Sequence, residues 1–288
     1  MTDDDVAAGP PRDHAPQLPR RAAAIPLRAL IPNAVTVLAL CFGLTGVRFA
    51  ISGDWEKAVA SIVVAGVLDG IDGRIARLLK GTSRFGAELD SLSDVTAFGV
   101  APALIVYLWS LQTLPGVGWV IALAHAVTCA LRLARFNANL DTADQPHKLA
   151  GFITGIPAPV GAGLTLSPLF LTFWLEPVML DDMRVRATLV GVVVVSVAFM
   201  MASNLPTYSW GSIRLRPSYR LPALAGVGLF AGALFSAPWM TLSLVCLAYA
   251  ATIPFAIRSY RRVRQRLAAP LLNPSPISPI PKTPAPSP

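Results

Sequence analysis

Eight apolar runs divide this chain, at residues 31–51, 57–79, 90–110, 117–137, 156–175, 186–203, 221–236 and 238–257. Several approach the roughly 20 residues an α-helix needs to cross a bilayer; the seventh is the shortest. Inside a membrane every backbone amide and carbonyl must be satisfied by the chain itself, and uninterrupted apolar runs of this length do so as helices. The expected fold is therefore all-α, a polytopic membrane helix bundle of about eight spans. Composition agrees: 54% of residues are hydrophobic and 14% charged, where soluble domains carry about 25% charged.

The basic residues orient the bundle. Of 24 Lys and Arg, only Arg48, Lys57, Arg184 and Arg186 fall outside if the N-terminus is cytoplasmic. The other 20 fall in the tails and in every second loop, and cytoplasmic loops are the ones that carry such an excess. Both termini are thus expected in the cytoplasm. The net charge of +8 does not call for nucleic acid, because these residues lie between apolar runs and not on one face of a soluble domain. Cys41, Cys129 and Cys246 sit in apolar segments with no zinc spacing and read as free thiols.

Three regions follow. Residues 1–24 open on Asp3, Asp4 and Asp5, continue Pro-rich without a signal-peptide cleavage pattern, and read as a disordered tail. Residues 25–260 form the membrane-embedded domain. Residues 261–288 are basic and then Pro-rich, and from 268 onward the prolines argue against a helix.

Within the second and third runs stand four aspartates, Asp69, Asp72, Asp90 and Asp94. A carboxylate near the bilayer centre costs about 2.5–3.5 kcal/mol, so four uncompensated ones would cost on the order of 10 kcal/mol. Asp69 and Asp72 are three apart and Asp90 and Asp94 four apart, so each pair shares a helix face, at the cytoplasmic ends of consecutive spans. The polar stretch Leu78–Phe85 lets the two faces meet antiparallel. Oxygen-only ligands suit a hard cation, Mg²⁺ or Mn²⁺, and four carboxylates could hold two ions that clamp a phosphoryl group. Gly73 lets a ligand approach the backbone, Ala76 keeps the same flank narrow, Arg77 offers a fork to phosphate, and Gly86 permits close packing or a tight turn.

These residues spell D-x2-D-G-x2-A-R-x8-G-x3-D-x3-D from Asp69 to Asp94. The pattern resembles the signature of the CDP-alcohol phosphotransferases at all of its fixed positions. The resemblance implies a membrane enzyme with a six-helix catalytic core that moves a phosphatidyl or similar group from a CDP-linked donor to an alcohol, with divalent metals, and releases CMP. It makes Asp69, Asp72 and Asp90 metal ligands and Asp94 the general base, also in reach of a metal. It places Gly73 and Arg77 against the cytidine diphosphate. A donor such as CDP-diacylglycerol would further meet Asn33, Thr36, Asp69, Ala76, Ser83 and Gly86. A homodimer in the cell membrane, with its site facing the cytoplasm, is also implied.

Ser93–Pro102, Arg132–Asn137, Gly151–Pro159 and, more weakly, Pro32-Asn33 with Thr36 resemble the family branch whose acceptor is serine. Arg132 and Arg135 lie three apart on one helix face with Asn137 beyond, and an arginine fork suits a serine carboxylate. Glycerol-3-phosphate or an inositol phosphate would also want arginines, and helix-end arginines also serve as plain anchors. A different class, an ion-coupled transporter, would use intramembrane carboxylates too, but with repeated halves that residues 160–260 do not supply. His14, His125 and His147 have no metal-binding neighbours in sequence and read as structural or incidental.

Overall fold

A computed structural model of the protein describes residues 27–79, 83–140, 152–176, 182–203, 206–208 and 219–272. The tail at 1–24 and residues 273–288 lie outside these, as do His14, His147 and the loop residues Lys80, Lys148, Arg214 and Arg216 used for orientation.

Each apolar run becomes a helical segment. The first helices are α1 (Leu27–Ile51) and α2 (Trp55–Leu78), followed by α3 (Arg84–Asp94), a π-helical turn (Val95–Val100) and α4 (Ala101–Trp109). After them come α5 (Val117–Leu140), α6 (Ala158–Leu175), α7 (Met183–Ala202), α8 (Arg220–Ser236) and α9 (Pro238–Leu272). Among the described residues, six helical stretches are long and apolar enough to cross a membrane: Leu30–Ile51, Arg84–Trp109, Val117–Ala138, Ala158–Leu175, Met183–Ala202 and Pro238–Phe255. The 24-residue α2 would reach about 36 Å but carries Glu56, Lys57, Asp69, Asp72, Arg74 and Arg77, and α8 is apolar but shorter.

Local chemistry moves some boundaries. The third segment begins at Arg84, ahead of its apolar run, because Ser83 is extended and its Oγ accepts from the Gly86 amide at 3.0 Å as a helix N-cap. The last helix continues to Leu272 and takes in Pro270, where the sequence argued against helix from 268 on. One proline costs a helix a hydrogen bond without forbidding the helical φ. An unanticipated pair of three-residue strands, β1 (Phe152–Thr154) and β2 (Pro206–Tyr208), joins antiparallel with Ile153 opposite Thr207.

Small residues set the packing, as lipid-embedded helices require for close approach. A Cβ on Gly46 would come within 2.9 Å of the Ala58 carbonyl, and one on Gly43 within 2.9 Å of the Ala97 Cβ. Thus α1 presses against both α2 and the π turn. Ala58, Ala65, Ala101, Ile105 and Leu169 fill the interior between α2, α4 and α6 and are fully buried. Beyond this, α5 packs on α7 and α6 on α9.

Candidate functional site

The last turns of α2 and the body of α3 bring the four aspartates to one end of the bundle. One carboxylate oxygen from each of Asp69, Asp72 and Asp90 lies within 4.8 Å of the others. Asp72 is buried and the other two are half-buried. Asp94 stands outside this trio, one helical turn beyond Asp90, with its carboxyl in hydrogen-bond reach of Asp69. An all-oxygen set drawn from two helices fits a hard divalent cation, and nothing in it suits a soft metal.

The α1 helix holds the cluster from behind. The Thr36 hydroxyl donates to Asp72 Oδ2 at 2.6 Å and lies 3.1 Å from the Pro32 carbonyl. Ser93 Oγ donates to the Thr36 carbonyl at 3.2 Å, so α1, α2 and α3 share one polar seam. The signature glycines do opposite work. A Cβ on Gly86 would come within 2.8 Å of Asn33 Oδ1, so this glycine lets α3 close on α1, whereas a Cβ on Gly73 would meet nothing within 4 Å among the described residues. The open flank at Gly73 is where another molecule can reach the α2 backbone. Arg77 lies along the same helix, its Nε donating to the Gly73 carbonyl at 2.9 Å, with Ala76 half-buried beside it. Ser83 serves as the cap of α3.

The three residues grouped at the end of α5 separate. Arg132 is half-buried within electrostatic reach of Asp94 and Tyr249, and its Nε is buried without a hydrogen-bond partner. Arg135 is exposed, and its Nη1 donates to the Ala202 carbonyl at 3.3 Å, at the last residue of α7. Asn137 Nδ2 donates to Ser91 Oγ at 2.8 Å and ties α5 to α3. Of the three, Arg132 is the one beside the aspartates.

Below the cluster, a cavity of about 320 Å³ has an almost wholly apolar wall that includes Ile62, Gly66, Phe98, Val160, Gly163 and Cys246. Gly66 precedes Asp69 by less than one turn of α2, so cavity and carboxylates adjoin along that helix. His125, which the sequence left as an isolated residue in an apolar helix, is fully buried with two polar partners: Nε2 lies 3.2 Å from the Phe98 carbonyl and Nδ1 3.1 Å from Thr165 Oγ1.

Comparison with known proteins places the chain in a family. The family profile described as CDP-alcohol phosphatidyltransferase matches residues 29–202, and a second, CDP-alcohol phosphatidyltransferase 2, matches 218–254. A Mycobacterium bovis protein is 39% identical over 241 residues, covering 82% of this chain and 81% of its own length. A Mycobacterium leprae protein is 38% identical over 248 residues, covering 84% and 79%. A Bacillus subtilis protein is 36% identical over 150 residues, covering 52% and 79%. Each of these is named CDP-diacylglycerol–serine O-phosphatidyltransferase. The first profile takes in more than half of the chain and every aspartate of the cluster, and the chain belongs to the CDP-alcohol phosphatidyltransferase family.

Proposed function

We propose that this protein transfers the phosphatidyl group of CDP-diacylglycerol to the hydroxyl of L-serine, giving phosphatidylserine and CMP. The observation that carries the proposal is the trio Asp69, Asp72 and Asp90, with oxygens within 4.8 Å of one another in a chain whose relatives bear that activity in their names. Asp69, Asp72 and Asp90, with Asp94 adjoining, would hold one or two Mg²⁺ or Mn²⁺ ions. Bound there, divalent ions supply positive charge to the pyrophosphate of the donor and make CMP a better leaving group.

The chain's own groups do the rest. Arg77 and the open backbone at Gly73 receive the cytidine diphosphate, with Ala76, Asn33, Thr36, Ser83 and Gly86 shaping that pocket. The apolar cavity beside Gly66 takes acyl chain. The serine oxygen bonds to the lipid-side phosphorus as the bond from that phosphorus to the bridging oxygen breaks, and CMP leaves with that electron pair. The hydroxyl proton passes to Asp94, a carboxylate placed one turn past Asp90 as a general base. Arg132, whose buried Nε has no hydrogen-bond partner, holds the serine carboxylate. Arg135 and Asn137 act on that subsite by fixing the end of α5.

In this reading all eight helical segments span the cell membrane, with both termini and the aspartate end in the cytoplasm, and the enzyme works as a homodimer. The charge asymmetry of the loops supports the orientation. An acceptor scan tests the function: purified protein with CDP-diacylglycerol and Mn²⁺ should release CMP with serine and not with glycerol-3-phosphate or inositol phosphate. CMP release dependent on either of the latter would reassign the acceptor while leaving the reaction class intact. Uptake of serine or ions without CMP release would overturn the enzyme reading.

A further inference from the structure

The π turn Val95–Val100 begins at the residue after Asp94, so its conformation sets where that carboxylate points. Such turns carry one extra residue in the helical repeat and persist only when neighbours over-determine them. Three neighbours do so here. Gly43 of α1 abuts Ala97, where a Cβ would come within 2.9 Å, and Gly99 abuts Cys129 of α5, where a Cβ would come within 3.1 Å. The third contact is polar: His125 Nε2 sits 3.2 Å from the Phe98 carbonyl and Nδ1 sits 3.1 Å from Thr165 Oγ1. A carbonyl only accepts, so Nε2 carries the proton toward Phe98, and the Thr165 hydroxyl donates to Nδ1. His125 and Thr165 are both fully buried, and a donor kept at such a cost in an apolar helix bundle has a specific partner to serve. That partner is the Phe98 carbonyl inside the π turn.

We infer that His125, oriented by Thr165, is a positioning residue that fixes the π turn following Asp94 and thereby aims the Asp94 carboxylate. It touches no substrate and acts only through the turn. The inference rests on the assignment of Asp94 as general base, and each can fail separately.

The test uses the full-length enzyme in detergent with CDP-diacylglycerol, serine and Mn²⁺, reading kcat, both KM values and the melting temperature of each variant. His125→Leu should lower kcat at least about 10-fold with both KM values near wild type, because misplacement of a reacting group costs turnover and not binding. His125→Gln, whose amide nitrogen can still donate to the Phe98 carbonyl, should recover most of that loss. Thr165→Val, which leaves the ring unoriented, should fall between them. A folded His125→Leu with wild-type kcat overturns the inference, as does a Gln variant no better than Leu. If His125→Leu yields no folded protein, Thr165→Val decides: wild-type kcat overturns the inference, and a several-fold loss at unchanged KM supports it. Asp94→Asn run alongside separates the two levels, since an active Asp94→Asn removes the base assignment itself.

Discussion

Helices α2 and α8 invert what their sequences suggest on hydropathy alone. The α8 run has few polar residues, yet it buries almost nothing: Leu229 is 78% and Phe235 94% exposed, and among the described residues a Cβ placed on Gly226, Gly228 or Gly232 meets no neighbouring element within 4 Å. Helix α2 carries six charged residues, yet its Ala58, Val59 and Ala65 are completely buried and its end holds half of the aspartate cluster. Apolar content marks a helix that tolerates lipid. Carboxylates at helical spacing mark one that the rest of the bundle is built around, because nothing else makes them affordable there.

The strongest way to break this contrast is to remove a carboxylate from the crowded region. Asp69→Asn or Asp90→Asn should abolish CMP release at any serine concentration, and chelation should do the same to the wild type until Mn²⁺ or Mg²⁺ is restored. Substantial turnover in either variant with ordinary metal dependence would remove the metal assignment.

Next in size is Asp94→Asn, expected to lower turnover by at least about 10²-fold while CDP-diacylglycerol still binds. An equilibrium binding assay with the labelled donor checks the second half, and lost donor binding would make Asp94 a ligand and not a base.

Arg132→Ala should raise the serine KM about 10- to 150-fold, the equivalent of roughly 1.5–3 kcal/mol for a charge-assisted contact, with donor KM unchanged. Arg135→Ala should do less, since its guanidinium already serves the Ala202 carbonyl. Equal effects from the two, or none from Arg132, would move the serine subsite elsewhere.

The smallest effects compare the two regions through one substitution. Gly43→Ala drives a methyl against Ala97 and should cost about 1–3 kcal/mol, visible as a lower melting temperature. Gly228→Ala on α8 meets open space and should change stability by no more than about 1 kcal/mol, in the stabilising direction if at all. Matching losses would mean that α8 packs against something as closely as α1 does.

Sequence reading located the helices and the aspartates well because both depend on local periodicity: about 20 apolar residues make a span, and offsets of three or four make a face. It went less far wherever a neighbour decides. Arg132, Arg135 and Asn137 share helical spacing, but only the packing of α5 against α3 and α7 sends Asn137 to Ser91 and Arg135 to Ala202. Gly73 and Gly86 look alike in the signature, yet one faces open space and the other faces Asn33. The β1–β2 pair is too short to leave an alternating pattern, and the continuation of α9 past Pro270 runs against the residue's usual meaning. His125 left no local pattern, because its partners, the Phe98 carbonyl and the Thr165 hydroxyl, come from other helical segments.

The most direct test of the central claim measures both products at once in purified protein supplied with CDP-diacylglycerol, labelled serine and Mn²⁺. Labelled phosphatidylserine and CMP should form in equal amounts, and both should be lost in Asp90→Asn. CMP formed without phosphatidylserine, phosphatidylserine formed without CMP, or full yield from Asp90→Asn would contradict that claim.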